Sequence, residues 1–238
     1  MSTHEPPAWL PNGLQAIRPK LLSCQVIPNA DPALRAQFGG RPEWTSLGLV
    51  TVDQDDSTYA ALDHATKFAA VEVVYAKSFY AGAAHASGPL SGEVLGVLAG
   101  PDPDEVNEGL AAMRDYLERT ACFYQAAGSG AQPALFPHVI AETGSYLSAA
   151  AGIAQGLPLA YLIAPPVEAL IGLDAALKAA DVRMCQFFGP PTETNYAGAY
   201  LTGTLYACEA AAAAFAEAVL AVAAQPLAGA RRGGFQRR

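Results

Sequence analysis

An acidic cluster in the first quarter of the chain supplies the carboxylates that a pocket for a small cation needs. Asp53, Asp55 and Asp56 form a dense group of carboxylates, three in four positions. Carboxylates hold an ammonium group through charge-assisted hydrogen bonds, so these side chains are candidates for the wall of such a pocket. The competing interpretation is a solvated turn in which Asp56 or Ser57 caps the following helix.

A second group of polar side chains lies far along the chain, where Glu193 stands between Thr192 and Thr194. The glutamate can supply charge to a small ligand, and the two threonines can supply hydroxyl contacts. A solvated loop is again the alternative. Glu93 is a further candidate, because it follows a glycine in a strand-like pattern and a buried carboxylate there would require a partner.

The sequence has no motif for metal, cofactor or nucleophilic chemistry. Its four histidines lack the H-E-x-x-H spacing of a zinc enzyme, and no Walker A loop, dinucleotide fingerprint or G-x-S-x-G elbow occurs. The four cysteines are scattered and form no C-x-x-C pair, which favours small buried side chains in a reducing compartment. We therefore predict no catalytic residue, no metal site and no cofactor.

The composition favours a protein that assembles with other chains. Hydrophobic residues make up 52% and charged residues 15%, against an average near 25% charged, so part of the surface is expected to lie against neighbouring subunits. The net charge of −8 argues against nucleic acid as a partner. We predict no membrane span, because the most apolar run, residues 210–224, is short and contains Glu217, and no secretory signal, so a cytosolic location is expected.

An internal repeat organises the chain. Residues around 62 and around 173 share four residue types at a constant offset of 111, and each copy is flanked by similar apolar runs. The matching pairs are Leu62 and Leu173, Asp63 and Asp174, Lys67 and Lys178, and Val71 and Val182.

Each copy is predicted to contain two strands, a helix, two strands and a second helix, which indicates an α/β sandwich with a mixed sheet. The expected strands are residues 21–27, 47–52, 71–75, 93–99, 138–141, 159–163, 182–188 and 196–201; the longer helices span 102–119 and 204–223. We predict a disordered extension over residues 1–13, a first domain over 14–124, a linker over 125–133, a second domain over 134–226 and a flexible basic tail over 227–238.

Nine short segments, in order and spacing, resemble the EutL family of bacterial microcompartment shell proteins. They are IRP (residues 17–19), SLGL (46–49), DQDDSTY (53–59), VEVVYA (71–76), YAGA (80–83), GEVL (92–95), TGSYLS (143–148), AYLIAPP (160–166) and PPTETNY (190–196). The N-terminal extension and the terminal arginines depart from the family pattern.

The resemblance implies an α/β fold of two tandem, circularly permuted microcompartment shell domains. Three such chains form a pseudo-hexameric homotrimer with a gated central pore, and this tile lies beside other shell proteins in a microcompartment shell in the cytoplasm. The loops at residues 80–88 and 194–198 are rich in small residues and are the candidates for the gate.

The resemblance also assigns roles to individual residues. It implies ethanolamine as the ligand and Lys67 and Lys178 as residues of the tile edge. The ethanolamine-binding residues are expected to be Asp55, Asp56, Glu93, Phe123, Thr192, Glu193 and Thr194. The alternative function is a small-molecule-binding regulator or an amine-handling enzyme on the same duplicated scaffold.

Overall fold

The computed structural model describes residues 6–79, 94–128, 133–192 and 194–228. Among these residues, two four-stranded sheets with helices on them follow one another along the chain. The elements are β1 (Leu14–Ile17), β2 (Leu21–Ile27), α1 (Pro32–Phe38), β3 (Ser46–Val52), α2 (Asp55–Ala65), β4 (Glu72–Ser78), β5 (Val94–Gly100), α3 (Pro103–Arg119), β6 (Phe123–Ala126), β7 (Phe136–Ile140), α4 (Ser145–Ala151), β8 (Leu159–Ala164), α5 (Pro166–Ala179), β9 (Val182–Phe188), β10 (Ala197–Gly203) and α6 (Leu205–Ala224).

The two sheets have the same strand order, and this confirms the repeat. Unit 1 has the order β2-β3-β5-β4, and unit 2 has the order β7-β8-β10-β9. The predicted mixed sheet is wrong, because every strand pair among the described residues is antiparallel. Strands β3 and β4, joined by α2, do run parallel to each other, but β5 lies between them and is antiparallel to both.

In each unit two long helices cover one face of the sheet. The core of unit 1 joins α2 and α3 to its sheet through residues such as Leu62 and Met113. The core of unit 2 joins α5 and α6 to its sheet through Leu173 and Phe215. Leu62 and Leu173, paired by the repeat, are both buried in these equivalent positions. The repeat therefore holds at the level of packing.

The helix starts follow local sequence signals, with one correction. Asp102 accepts hydrogen bonds from the amides of Asp104 and Glu105 at the start of α3, as an N-cap does. For α2, the prediction that Asp56 or Ser57 caps the helix is wrong, because the N-cap is Gln54 and both residues lie inside the first turn. Carboxylates in that turn face the positive end of the helix dipole, which favours their charged form.

Three features were not anticipated from the sequence. Short helices α1 and α4 each connect the first two strands of a unit. Strand β1 pairs with β6 in a separate two-stranded sheet. Leu10 lies in the extension expected to be disordered, yet it is buried in the core of unit 2, so the described end of that extension is fixed by packing. The domain boundaries themselves stay a prediction.

Helix α6 is the one helix among the described residues whose length and hydropathy would allow it to cross a membrane. It is longer than the apolar run of residues 210–224. One face, which includes Phe215 and Val219, is buried in the core of unit 2. Core helices of soluble proteins share this length and composition, so neither property alone indicates a membrane span.

Candidate functional site

A cavity of about 280 Å³ lies where the two units meet. Unit 1 contributes the start of α2 and the end of β4, and unit 2 contributes α4, strands β8 to β10 and the turn before β10. The wall combines carboxylates, hydroxyls and aromatic rings. The lining residues discussed below are Asp55, Asp56, Tyr59, Ser78, Tyr146, Tyr161, Gln186, Thr192, Thr194, Tyr196 and Tyr200.

Two adjacent carboxylates are held at the cavity wall by a hydrogen-bonded network. Asp55 and Asp56 are each only 7% exposed. The Ser78 hydroxyl donates to Asp55 Oδ2 over 2.8 Å, and the Tyr59 hydroxyl bonds Ser78 Oγ. Across the unit boundary, the Tyr161 hydroxyl donates to Asp56 Oδ1. Because these bonds stabilise anions, the network keeps a negative centre in a mostly buried place.

Four tyrosines of the cavity remain neutral at cellular pH. Burial raises the pKa values of Tyr59, Tyr161 and Tyr200 well above the usual range, and it raises the pKa of Tyr146 to about 12. Each ring therefore keeps its hydroxyl proton for donation to a neighbour. The ring faces also attract cations, which adds to the attraction of the carboxylates.

The turn before β10 brings the two predicted threonines to the cavity. Thr192 Oγ1 donates to the carbonyl oxygen of Tyr196 over 2.9 Å, and the amide of Asn195 donates to the Thr192 carbonyl over 3.1 Å. Asn195 has a φ of 59°, a conformation that asparagine tolerates better than most residues. Thr192, Thr194 and Tyr196 of this turn line the same cavity as the two aspartates.

The predicted ligand residues fall into three groups. Asp55, Asp56, Thr192 and Thr194 line the cavity. Phe123 does not belong to the lining; it is buried beside Phe136 and contacts Tyr196, with ring centroids 6.3 Å apart. The last two, Glu93 and Glu193, lie outside the described residues, so their place at the site stays a prediction.

Several lining residues were missed from the sequence. From the sequence, Tyr59, Tyr161 and Tyr196 are most simply interpreted as core or interface aromatics, and all three line the cavity between the units. The available signal was weak: Tyr59 follows Asp55 and Asp56 by one helical turn, which is the spacing of side chains on one face. Ser78 gave no such signal because it lies on another element of unit 1, 23 residues from Asp55. Tyr161 gave none because its proximity to Asp56 depends on how the two units pack.

Beside the cavity, α2 also holds the start of α4. The buried carboxylate of Asp63 accepts hydrogen bonds from the amides of Gly144 and Leu147, at 2.6 and 2.7 Å. Thr66 Oγ1 accepts from the amide of Ser145. Helix α4 has no side-chain cap of its own, so unit 1 supplies its cap from 81 to 84 residues away.

The two predicted edge lysines differ in their surroundings. Lys67 Nζ donates to the carbonyl oxygen of Glu142 over 2.9 Å, at the boundary between the units, and burial lowers the pKa of Lys67. Lys178 is 73% exposed and pairs with Asp174 on its own helix. Their role at a tile edge stays a prediction.

Two histidines contact Tyr116, one from each unit, and both are kept neutral there. His138 Nε2 lies 2.8 Å from the Tyr116 hydroxyl, and the ring of His64 stacks on the ring of Tyr116. Burial, with the nearby charge of Lys67, lowers the pKa of each histidine to about 4. The described residues contain no cluster of His, Cys, Asp and Glu that could hold a metal ion.

Comparisons with known proteins agree on one family. Residues 46–127 match the model of the BMC domain. The chain is 54% identical over 211 residues to the bacterial microcompartment shell protein EutL of Clostridium perfringens, covering 89% of this chain and 97% of that protein.

Solved structures give the same relationship. The ethanolamine utilization protein EutL from Leptotrichia buccalis is 52% identical, with a TM-score of 0.86 over 90% of this chain and 98% of that one. A trimeric shell protein, PduB, shares the fold at 20% identity, with a TM-score of 0.71 over 85% of this chain and 88% of that one.

Proposed function

The chain belongs to the EutL family of bacterial microcompartment shell proteins, and from this premise we propose that it binds ethanolamine in the cavity between its two units. It is a shell protein of the ethanolamine-utilisation type, located in the microcompartment shell in the cytoplasm. Shell proteins of this kind form trimers that lie beside other shell proteins. Its role is to form the shell and to control which small molecules pass through it, rather than to catalyse a reaction.

The observation that supports ethanolamine is the buried carboxylate pair. Ethanolamine is an ammonium with a hydroxyl group at neutral pH, and Asp55 and Asp56 offer charge for the ammonium. Thr192 and Thr194, which line the same cavity, offer neutral donors and acceptors for the hydroxyl. The aromatic rings of Tyr59 and its neighbours exclude anions and favour the cation.

A gated central pore completes the proposed transport role. Of the two candidate gate loops, residues 80–88 lie outside the described residues. Ala197 and Gly198 of the second loop belong to β10, so a movable segment there is confined to residues 194–196. Since Thr194 and Tyr196 also line the cavity, occupancy by a ligand would favour one arrangement of this loop by its differential affinity.

Calorimetry tests the ligand assignment. Ethanolamine has four non-hydrogen atoms, and a ceiling of about 1.5 kcal/mol per atom limits its binding to about 6 kcal/mol, or a dissociation constant of tens of micromolar. Asp56→Asn should weaken binding at least tenfold, because it removes a charge that faces the ammonium. Ethylene glycol, which has a similar size and no charge, should not bind.

A matched variant controls for the general effect of losing a carboxylate. Asp104 lies in the first turn of α3 as Asp56 lies in the first turn of α2, but Asp104 is exposed and distant from the cavity. Asp104→Asn should therefore bind ethanolamine as the unaltered chain does. If the chain binds no ethanolamine, or if Asp56→Asn and Asp104→Asn bind equally well, the ligand assignment is wrong.

The competing function, an amine-handling enzyme, is tested by turnover. The observation in its favour is the network of Tyr59, Ser78 and Asp55, which resembles a proton relay. The raised pKa of Tyr59 leaves its hydroxyl protonated. Asp55, which accepts the hydrogen bond from Ser78, is a carboxylate and therefore a weaker base than the histidine or amine that activates serine nucleophiles. We expect ethanolamine to be recovered unchanged after prolonged incubation with the purified protein.

A further inference from the structure

A second cavity, of about 300 Å³, lies on the face of the unit 1 sheet opposite α2 and α3. Its floor includes Leu47 of β3 and Ala99 of β5, which pair directly across the sheet. Helix α1 and the loop of residues 39–44 form its walls. This cavity shares no lining residue with the one between the units, so it is a separate site in the same chain.

Two arginines give this cavity a positive charge. Arg35 and Arg41 both line it, and the described residues of the lining include no aspartate or glutamate. This local balance is opposite to the net charge of the whole chain, which is −8. The equivalent helix and loop of unit 2, residues 145–158, contain no arginine or lysine. The charge is therefore a property of unit 1 and not of the repeated fold.

Arg35 is fixed in place by three backbone carbonyl groups. Its Nε donates to the carbonyl oxygen of Ala30 over 3.0 Å, and its Nη1 donates to those of Pro42 and Trp44 over 3.0 and 2.9 Å. These bonds use three of the five guanidinium N–H groups. Among the residues that the structure describes, the two N–H groups of Nη2 have no acceptor and no carboxylate pairs with Arg35. The side chain thus holds an uncompensated charge in a fixed position.

Arg41 lies over the ring of Trp44, with 4.7 Å between the guanidinium carbon and the ring centroid. Its Nε donates to Glu72 Oε1 over 2.7 Å, in a salt bridge whose side chains are 57% and 34% exposed. Exposed pairs of this kind are weak, and this one uses a single N–H group of the guanidinium. A guanidinium stacked on an aromatic ring can still bind a carboxylate through its other N–H groups. Trp44 itself is buried and gives the wall an apolar surface.

We propose that this cavity binds a small organic anion, namely a carboxylate with a short apolar chain. The carboxylate bonds the guanidinium groups of Arg35 and Arg41, since arginine recognises planar acceptors with two oxygens. The apolar chain lies on Leu47, Ala99 and the ring of Trp44, where its removal from water is favourable. The chain then carries one cavity for a cation and one for an anion. This assignment does not depend on ethanolamine binding.

The fluorescence of Trp44 reports on the site directly. The chain has two tryptophans, so Trp9→Phe leaves Trp44 as the only one. Titration of this assembled protein with butyrate at constant ionic strength should change the emission in a saturable way, because the anion acts on the guanidinium that lies over the ring. A ligand this small binds weakly, and we expect a dissociation constant in the millimolar range. Butyramide, which has the same size and no charge, should cause no saturable change.

Calorimetry with butyrate separates the charge of the cavity from its shape. Arg41→Gln should weaken binding about tenfold, because it removes hydrogen bonds from a charged donor. Arg114→Gln is the matched control: Arg114 is also exposed and also bonds one carboxylate oxygen through Nε, but it lies outside the cavity. Ala36→Leu fills the cavity from an exposed position of α1 and keeps both arginines, so it should weaken butyrate binding and leave ethanolamine binding unchanged.

The same measurements can overturn the assignment. Equal affinities of Arg41→Gln and Arg114→Gln for butyrate, or an emission of Trp44 that butyrate does not change, would exclude this cavity as the anion site. Acetate or inorganic phosphate that binds as tightly as butyrate would show that the apolar floor contributes nothing, and the assigned ligand class would be wrong. An unaltered chain that binds butyrate but no ethanolamine would instead contradict only the proposed function.

Discussion

Helices α2 and α5 have the same place in the two copies of one fold, and their outer faces differ in chemistry. The α2 face carries aspartates and a tyrosine against unit 2, with a cavity between. The outer face of α5 carries exposed apolar residues in the same positions, at Val167, Leu170 and Ile171. The first interface joins units that are tethered in one chain, and a tether raises the effective concentration of one unit for the other.

This difference explains why a binding site with buried carboxylates lies at the boundary between two units of one chain. Within one chain, the tether reduces the entropy lost when the two units associate, so the interface needs less apolar burial. Carboxylates and an open cavity are therefore tolerated at this boundary. Between chains, association must offset the loss of translational and rotational freedom, and apolar burial supplies the driving force. In a duplicated chain, the boundary between the two tethered units can therefore hold a ligand site.

The largest expected effect comes from the carboxylate that joins the units. Asp63→Ala leaves the amides of Gly144 and Leu147 without their acceptor in a buried place. Each unsatisfied buried amide costs about 1–3 kcal/mol, so the free energy of unfolding should fall by about 4 kcal/mol. The equivalent change in unit 2, Asp174→Ala, should cost less than about 0.5 kcal/mol, because Asp174 is exposed. Equal losses in urea denaturation would contradict the asymmetry of the two faces.

The lowered pKa values of His64 and His138 predict that the free energy of unfolding depends on pH. The folded pKa of His138 is about 4, below the ordinary 6.5, because the ring is buried and Lys67 is near. The unfolded chain therefore binds the proton first, and the free energy of unfolding is complete above pH 6.5 and falls as the pH drops toward 4. For a fully buried ring this loss is about 3 kcal/mol, since one pKa unit corresponds to about 1.4 kcal/mol.

A variant separates His138 from other titrating groups. His64 titrates in the same range, where burial and Lys67 lower its pKa and Asp115 opposes them. His138→Gln keeps a hydrogen-bonding partner for the Tyr116 hydroxyl and takes up no proton. The slope of unfolding free energy against pH between 4 and 6.5 should be smaller in this variant. An unchanged slope would show that His138 is not buried in its neutral form.

The smallest expected effect concerns the paired lysines. Lys67→Glu removes the bond to the Glu142 carbonyl and places a negative charge beside Asp63, so it should lower the free energy of unfolding by about 1–2 kcal/mol. Lys178→Glu should change it by less than about 0.5 kcal/mol. The proposed edge role further predicts that the double variant keeps trimers and forms no extended sheets in electron micrographs. Normal sheets would remove both lysines from the tile edge.

Much of the fold was predictable because the repeat presents each pattern twice. Strands β2 and β9 have the predicted bounds, and Leu62 and Leu173 lie where the offset of 111 places them. Helices α1 and α4 were missed because seven residues are too few to show a helical period. The sheet direction was wrong because strand and helix order alone does not tell whether a further strand is inserted between two strands.

The charged residues of the site could be predicted from the sequence, but the contacts that bring them together could not. Asp55 and Asp56 stand out as a local cluster, and Thr192 and Thr194 were inferred from family resemblance. The bond from Tyr161 to Asp56 and the cap from Asp63 to α4 connect residues 81 to 105 positions apart. Those contacts depend on how unit 1 packs against unit 2, and no pattern within either segment specifies that packing.

The number of ethanolamine molecules bound per chain tests the central comparison most directly. In unit 2, at the offset of 111, the positions of Asp55 and Asp56 are taken by Pro166 and Val167, which carry no charge for an ammonium. Calorimetry of the trimer should therefore give one ethanolamine per chain, and Asp56→Asn should weaken that site alone. A stoichiometry of two per chain would contradict the account, because the equivalent face of α5 would then bind ethanolamine as well.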